Sequence, residues 1–230
     1  MLIAIGDIHG DVWKLRNLLA KLHDLPLADD DRLIFLGDYV DRGTDSSLTL
    51  EVLVRLKEER PNSIFLRGNH DQAMLDVRQV LDPRLETDKV FDDISWWFTY
   101  GGRDTVASYG GGELWYENVP DAHWRFLSET HMEHREGGYI FVHAGLLLPG
   151  KRWFAGEDPR LWIREWFLDS DADFGGVVVF GHTPTRDGKP LIEANKIGID
   201  TGVGKGGPLT AALLTPFEPA QAQFISVDRG

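Results

Sequence analysis

Six residues in this chain combine metal-ligating side chains with glycine-rich surroundings. Asp7 and His9 stand in GDIHG (6–10), Asp38 in GDYVDRG (37–43), Asn69 in GNHD (68–71), His143 in HAG (143–145) and His182 in GHTP (181–184). Carboxylate, amide oxygen and imidazole gathered in one place suit Mn, Fe, Zn or Ni. The chain has no Cys, so thiolate metal sites, disulfides and cysteine nucleophiles are excluded. Asp7 and His9 are two residues apart and can turn toward one ion. Asp38 follows Asp7 by 31 residues and Asn69 follows Asp38 by another 31. A carboxylate at Asp38 can bridge two ions with its two oxygens, and Asn69 offers a neutral ligand. Taken singly, an Asp in a Gly-flanked turn or a His at a strand end is commonplace; the ordered set points to one shared centre.

The elements that must position these residues are legible from hydrophobic pattern. LIAI (2–5), LIFL (33–36) and SIFL (63–66) are short β-rich runs, each just ahead of one of the first three motifs. The polar residues therefore fall at the carboxyl ends of successive strands, where open α/β sheets gather ligands. Apolar residues at helical spacing predict helices over about 11–22, 46–57 and 71–81, with Pro61 closing the second. The stretch 82–136 breaks the alternation with turn signals, clustered acids and aromatics: Phe91, Trp96, Trp97, Phe98, Tyr100, Tyr109, Trp115, Tyr116 and Trp124. We read it as a mostly helical cap-like insertion. Its aromatics form either a small core of their own or, for some of Trp96, Trp97 and Tyr100, a substrate-facing wall. From Tyr139 onward YIFVH, VVVFGH, PLIEA, KIGIDTG, LTAALL and AQFISV read as strands. Arg160, Trp162, Ile163, Arg164 and Trp166 suggest one helix between the first two, and His143 and His182 close apolar runs from which both could reach the shared centre. The fold class is α/β (α+β), a single domain over 1–230 with a βαβαβα half, an insertion and a β-rich half.

Composition narrows the partners. A chain of 230 residues with 42% hydrophobic residues and eight Trp can bury a full core. A formal charge of −13 argues against a nucleic-acid backbone as partner, which needs a basic surface. No apolar run approaches the roughly 20 residues of a membrane span. The first predicted strand begins at Leu2, leaving no room for a signal peptide, so a cytoplasmic location without membrane partners is expected.

The set GDIHG, GDYVDRG, RGNHD, HAG and GHTP, in this order, resembles the calcineurin-like metallophosphoesterases. Within them it is most similar to the phosphoprotein phosphatase branch, which includes the Ser/Thr protein phosphatases and their bacterial and phage counterparts. The segment from Ile199 to Gly207 is similar to the closing strands of the bacterial members. The resemblance implies a central β-sandwich flanked by helices and a dinuclear centre of two divalent metal ions. Manganese is the expected identity, and Fe, Zn and Ni fit the same donors. It implies that Asp7, His9 and Asp38 bind the first metal, and that Asp38, Asn69, His143 and His182 bind the second, with Asp38 bridging. A water or hydroxide held between two such cations is a nucleophile at neutral pH, and the cations stabilise charge on the phosphoryl oxygens during in-line attack.

By the same resemblance His70 is the general acid for the leaving alkoxide and Asp41 orients its ring. Arg42 and Arg164 grip the phosphate oxygens. Arg164 rests on the looser match WIRE (162–165), and the alternative for it is a surface helix Arg paired with Glu165 or Asp169. The implied substrate is a phosphoprotein bearing phosphoserine or phosphothreonine, or a small phosphomonoester. Asp71 stands where many eukaryotic members have Glu and is shared with diadenosine tetraphosphatases, which keeps a dinucleoside polyphosphate hydrolase as the alternative. Symmetrical members of that group usually lack an acid at the position of Asp41, which favours the phosphoprotein. Pro184 stands where nucleases and phosphodiesterases carry a second His, which disfavours phosphodiesters and leaves the first metal an extra water. A phosphoprotein-binding scaffold without activity has no use for His70 beside the intact ligands.

Overall fold

The computed structural model describes residues 1–26, 28, 31–88, 95–148, 150–153 and 157–229; Phe91 of the aromatic stretch lies outside them. Its strands are β1 (Leu2–Ile5), β2 (Arg32–Phe35), β3 (Ile64–Phe65), β4 (Glu133–Glu136), β5 (Tyr139–Val142), β6 (Val177–Phe180), β7 (Leu191–Ile192), β8 (Lys196–Gly198), β9 (Leu209–Leu214) and β10 (Gln223–Val227). They form two five-stranded sheets, ordered β10-β9-β1-β2-β3 and β4-β5-β6-β8-β7. β1, β2 and β3 run parallel, as do β5, β6 and β8. Ile5 pairs with Phe35 and Phe35 with Phe65, so Asp7, Asp38 and Asn69 leave the first sheet at one edge.

The two sheets pack face to face. Leu2, Ala4, Ile34 and Leu36 point inward and meet Phe141, Val179 and Ile197, while Ile3, Ile5, Leu33 and Phe35 point outward onto helices. Every residue of β1 is buried, as expected of strands covered on both faces. On the second sheet Ile140, Val142, Val178 and Phe180 turn outward onto Ile163 and Phe167. This is the β-sandwich with flanking helices that the motifs imply.

The helices follow the apolar spacing with shifted ends. α1 (Val12–His23) starts where the Asp11 carboxylate accepts from the Lys14 N–H, and buries Val12, Leu15, Leu18 and Leu22. α2 (Ser46–Glu59) runs to just before Pro61. α3 (Asn69–Leu81) begins two residues earlier than the pattern predicts, because Asp71 bonds back to the Gly68 N–H in a capping arrangement. Asn69 and His70 thus lie in the first helical turn instead of in a loop ahead of it.

The aromatic stretch does not keep a core of its own. Trp97, Tyr109, Trp115, Tyr116 and Trp124 join the same apolar cluster as α1, α2 and α3, flanked by α4 (Arg103–Ser108) and α5 (Asp121–Ser128). Its last four residues are β4, paired antiparallel with β5. Glu, His, Arg and Glu give that edge strand no apolar alternation, and the pattern concealed it. The single helix expected over 160–166 is instead two short turns, α6 (Pro159–Trp162) and α7 (Glu165–Leu168), broken at Ile163 and Arg164. Arg164 has φ −129° and ψ −102°, which breaks the helical course at this residue.

Trp97 is fully buried and stacks on Trp115 with ring centroids 5.7 Å apart. Trp97→Ala is expected to cost about 3–5 kcal/mol through lost contacts and the cavity left behind, read as a lower urea midpoint. A loss below about 1 kcal/mol would show that the aromatic stretch is not coupled to the main core.

Candidate active site

Left-handed backbone concentrates where the two sheets end. Among the described residues, the non-glycine positions with positive φ are His9 (46°), Asp38 (52°), Asp41 (73°), Arg42 (69°), His182 (61°) and Phe217 (61°). Such conformations cost of order 1–3 kcal/mol and persist only where neighbours over-determine them. Five of the six carry side chains into one site. Asp71, fully buried, supplies much of the restraint: its Oδ2 accepts from the Asp38 and Gly68 N–H groups at 2.8 and 2.9 Å, and its Oδ1 from the Tyr39 N–H at 2.9 Å. The His9 N–H donates to the Asp38 carbonyl at 2.9 Å, tying the first turn to the second. Sequence reading took Asp71 as a clue to substrate; here it holds backbone and makes no approach to the cavity.

The predicted ligands converge. Asp7, His9 and Asp38 place donor atoms within 4.8 Å of one another, and so do Asp38, His143 and His182. Asp38 belongs to both groups: its Oδ1 lies 3.5 Å from His143 Nε2 and its Oδ2 3.6 Å from His9 Nε2. The Asn69 Oδ1 lies 3.0 Å from His143 Nε2 and 2.9 Å from His182 Nδ1. His143 Nδ1 is 2.8 Å from the Leu36 carbonyl and His9 Nδ1 is 3.2 Å from the Val40 carbonyl. A carbonyl only accepts, so each ring is assigned its proton on Nδ1 and a lone pair on Nε2. Burial pushes His9 down to about 3 and lowers His143 and His182, which keeps all three imidazoles neutral and ready to ligate. Burial, then the charges of Asp200 and Asp38, raise Asp7 well above the carboxylate range.

Lone pairs thus face lone pairs, at Asn69 Oδ1 and His143 Nε2 above all. Among the described residues, Asp7 Oδ1 and His182 Nε2 are also buried with no hydrogen-bond partner. Cations resolve both problems, and the donor set of N and O atoms fits Mn, Fe, Zn or Ni. Backbone approaches so closely that a Cβ on Gly68 would overlap Asp38 Oδ1, and one on Gly181 would overlap Asp7 Oδ1.

His70 and Asp41 form a buried pair with His70 Nδ1 2.6 Å from Asp41 Oδ2. Burial alone would lower His70, but the carboxylates of Asp38 and Asp41 carry it above its ordinary value. Thr105, from α4, was not singled out in the sequence. Its hydroxyl donates to Asp41 Oδ1 at 2.6 Å and accepts from the Asp41 N–H at 2.9 Å. No motif marks such a Thr, because its partner is 64 residues away. Arg42 spans His9 Nε2 (3.0 Å) and His70 Nε2 (2.9 Å) with its two terminal nitrogens. Arg164 donates to Thr183 Oγ1 at 3.1 Å. Arg42 and Arg164 line a cavity of about 430 Å³ together with Asn69, His70, Trp96, Tyr100, Glu157 and Trp162. Trp97, by contrast, faces the core.

The family description "Calcineurin-like phosphoesterase" matches residues 1–186. The chain belongs to the calcineurin-like phosphoesterases. Among its relatives, it is 30% identical over 214 residues to Serine/threonine-protein phosphatase 1 of Salmonella typhimurium, covering 91% of this chain and 90% of that one. It is 26% identical to the asymmetrical Bis(5'-nucleosyl)-tetraphosphatase PrpE of Bacillus thuringiensis, over 96% and 95% of the two chains. The cold-active protein-tyrosine phosphatase of a psychrophilic Shewanella shares the fold, with a TM-score of 0.58 at 17% identity over 97% and 79%. A calcineurin-like phosphoesterase is a hydrolase of phosphate esters that works with divalent metal ions, and the two donor groups around Asp38 are where this phosphoesterase can hold them.

Two measurements probe this construction. Chelation should lower the melting temperature and added Mn should restore it. A cation at a hundred times its Kd contributes about 2.7 kcal/mol, roughly 5–10 °C per site for a chain of this size; an unchanged melting curve would deny that the site binds metal. Asp71→Asn leaves one carbonyl oxygen where two carboxylate oxygens served three N–H groups. A loss of about 1–3 kcal/mol is expected from the unsatisfied donor, and urea unfolding with no loss would remove Asp71 from its holding role.

Proposed function

We propose that this phosphoesterase is a metal-dependent serine/threonine protein phosphatase, acting on phosphoproteins and on small phosphomonoesters. The observation that carries the reading is the short Asp41–His70 contact of 2.6 Å at the rim of the cavity that holds Arg42 and Arg164. A phosphomonoester with a poor alkoxide leaving group needs a proton delivered to that oxygen, and a carboxylate-oriented imidazole is suited to deliver it. The similarity to Serine/threonine-protein phosphatase 1 supports the same substrate class.

In this reading Asp7, His9 and Asp38 hold the first cation, and Asp38, Asn69, His143 and His182 the second. Manganese is the proposed metal. When bound, two such cations supply Lewis-acid charge and an activated water. Arg42 and Arg164, both lining the cavity, grip the phosphate oxygens and orient the ester. His70 Nε2, which accepts from Arg42 at 2.9 Å here, would carry the proton for the leaving oxygen once Arg42 turns to the phosphate, with Asp41 on Nδ1 fixing the ring and Thr105 fixing Asp41. Trp96 packs edge-on to His70 at 5.8 Å and Trp162 edge-on to His182 at 6.1 Å, which shields the acid and the ligand from bulk water. Tyr100, 60% exposed at the mouth, is placed to meet the leaving group. The segment 82–136, less its closing strand β4, is proposed as the cap that selects among phosphoesters. The proposed location is the cytoplasm; among the described residues no helix is long and apolar enough to cross a membrane.

A second reading, hydrolysis of dinucleoside polyphosphates, is favoured by the similarity to the asymmetrical Bis(5'-nucleosyl)-tetraphosphatase and by the aromatic wall of Trp96, Tyr100 and Trp162, on which a base could stack. Turnover of a phosphothreonine peptide and of diadenosine tetraphosphate, each with added Mn and with His70→Asn as background, separates the two. Phosphate release from the peptide at the higher kcat/KM, falling about 10²–10⁴-fold in His70→Asn, is the expected result. Preference for the dinucleotide would replace the first reading with the second.

A further inference from the structure

Each sheet sends three neighbouring parallel strands toward the site, and five of the six deliver a residue already placed there: β1 Asp7, β2 Asp38, β3 Asn69, β5 His143 and β6 His182. The sixth strand, β8, delivers Asp200. Phe180 pairs with Gly198, and the Ile199 N–H donates to the Phe180 carbonyl at 2.9 Å, so His182 and Asp200 stand level beyond their strand ends. Gly6 lies flat against the Ile199 carbonyl, which sets Asp7 beside Asp200 across the gap between the sheets.

Asp200 is 2% exposed. Its Oδ1 accepts from the Gly202 N–H at 3.0 Å, and its carbonyl accepts from the Thr185 N–H at 2.9 Å. Its Oδ2 is buried and accepts from nothing among the described residues. A buried carboxylate oxygen without a donor is costly, and a turn residue needs only the Oδ1 bond. Burial and the nearby Asp38 push Asp200 up to about 6, and Asp200 in turn helps raise Asp7. Asp200 is not one of the mutually close donors around Asp7, His9 and Asp38. It therefore lies outside that donor group while still close enough to act on Asp7.

The geometry points to Asp200 as an outer-sphere carboxylate of the first metal site, its Oδ2 accepting a hydrogen bond from a water carried by the cation that Asp7, His9 and Asp38 hold. This rests on the dinuclear reading. Outer-sphere partners of this kind hold a cation's water in place and add to its affinity, typically by ten- to a hundredfold.

The test is Mn titration by calorimetry of the wild type, Asp200→Asn, Asp7→Asn and the double variant, with bound Mn counted by electron paramagnetic resonance. The amide of Asp200→Asn keeps the Oδ1 bond to Gly202, so its metal-free melting temperature should not fall. Two Mn per wild-type chain are expected, with one of the two bound ten- to a hundredfold more weakly in Asp200→Asn and the other changed less than about threefold. In the Asp7→Asn background Asp200→Asn should add little, because both act on one cation. Wild-type affinity at both sites of Asp200→Asn would overturn the assignment, as would equal weakening of both sites or full additivity with Asp7→Asn. Fewer than two Mn in the wild type would fail the dinuclear reading itself, and would be seen before any variant is compared.

Discussion

The left-handed turn at Asp38 is the constraint on which the site depends. At φ 52° its carboxylate sets one oxygen toward His143 of the second sheet and the other toward His9 of the first. No L-residue prefers that conformation. It is held because Asp71 takes three N–H groups at once, two from the turn and one from Gly68, while the first turn hangs on the Asp38 carbonyl through two further bonds. The sandwich brings the strand ends to one edge, and the strained turns aim their side chains at one another.

A second consequence of that closeness is electrostatic. Buried carboxylates and imidazole lone pairs have been packed against one another without enough donors to go round, a configuration that is unfavourable for the polypeptide alone and favourable around cations. Arg42 stands between His9 and His70, and Arg42 and Arg164 both line the cavity beside these buried carboxylates. In the proposed reading, an anionic phosphate in this cavity would meet both guanidinium groups as well as metal charge.

Much of this could be read without coordinates. The candidate ligands sit in short motifs next to glycines, and β-rich runs of four residues directly ahead of them fix which edge of the sheet they occupy, so the convergence of Asp7, His9, Asp38, Asn69, His143 and His182 was legible. What escaped was whatever depends on long-range partners. Asp71 is a motif residue whose carboxylate works on backbone, and its type alone suggested substrate choice. Thr105 acts on Asp41 from an insertion that carries no recognisable pattern. Asp200 is level with His182 only because β8 pairs with β6, and nothing in KIGID declares that register. β4 lacks apolar alternation because, at the sheet edge and only partly buried, its side chains need not be apolar, and the break at Ile163 and Arg164 overrides a helical pattern that is locally good. In each case tertiary geometry decided between local options of similar energy.

The contacts of Gly68 with Asp38 and of Gly181 with Asp7 have an evolutionary consequence. The floor of the centre is walled by main chain, and any side chain larger than hydrogen at these places collides with a carboxylate oxygen. Gradual retuning of the chemistry by swapping neighbours is thereby closed off. The roof is less constrained, for Tyr100 and Glu157 line the cavity with exposed side chains. An inflexible floor under a replaceable roof lets one hydrolytic centre be inherited intact while the esters admitted to it diverge.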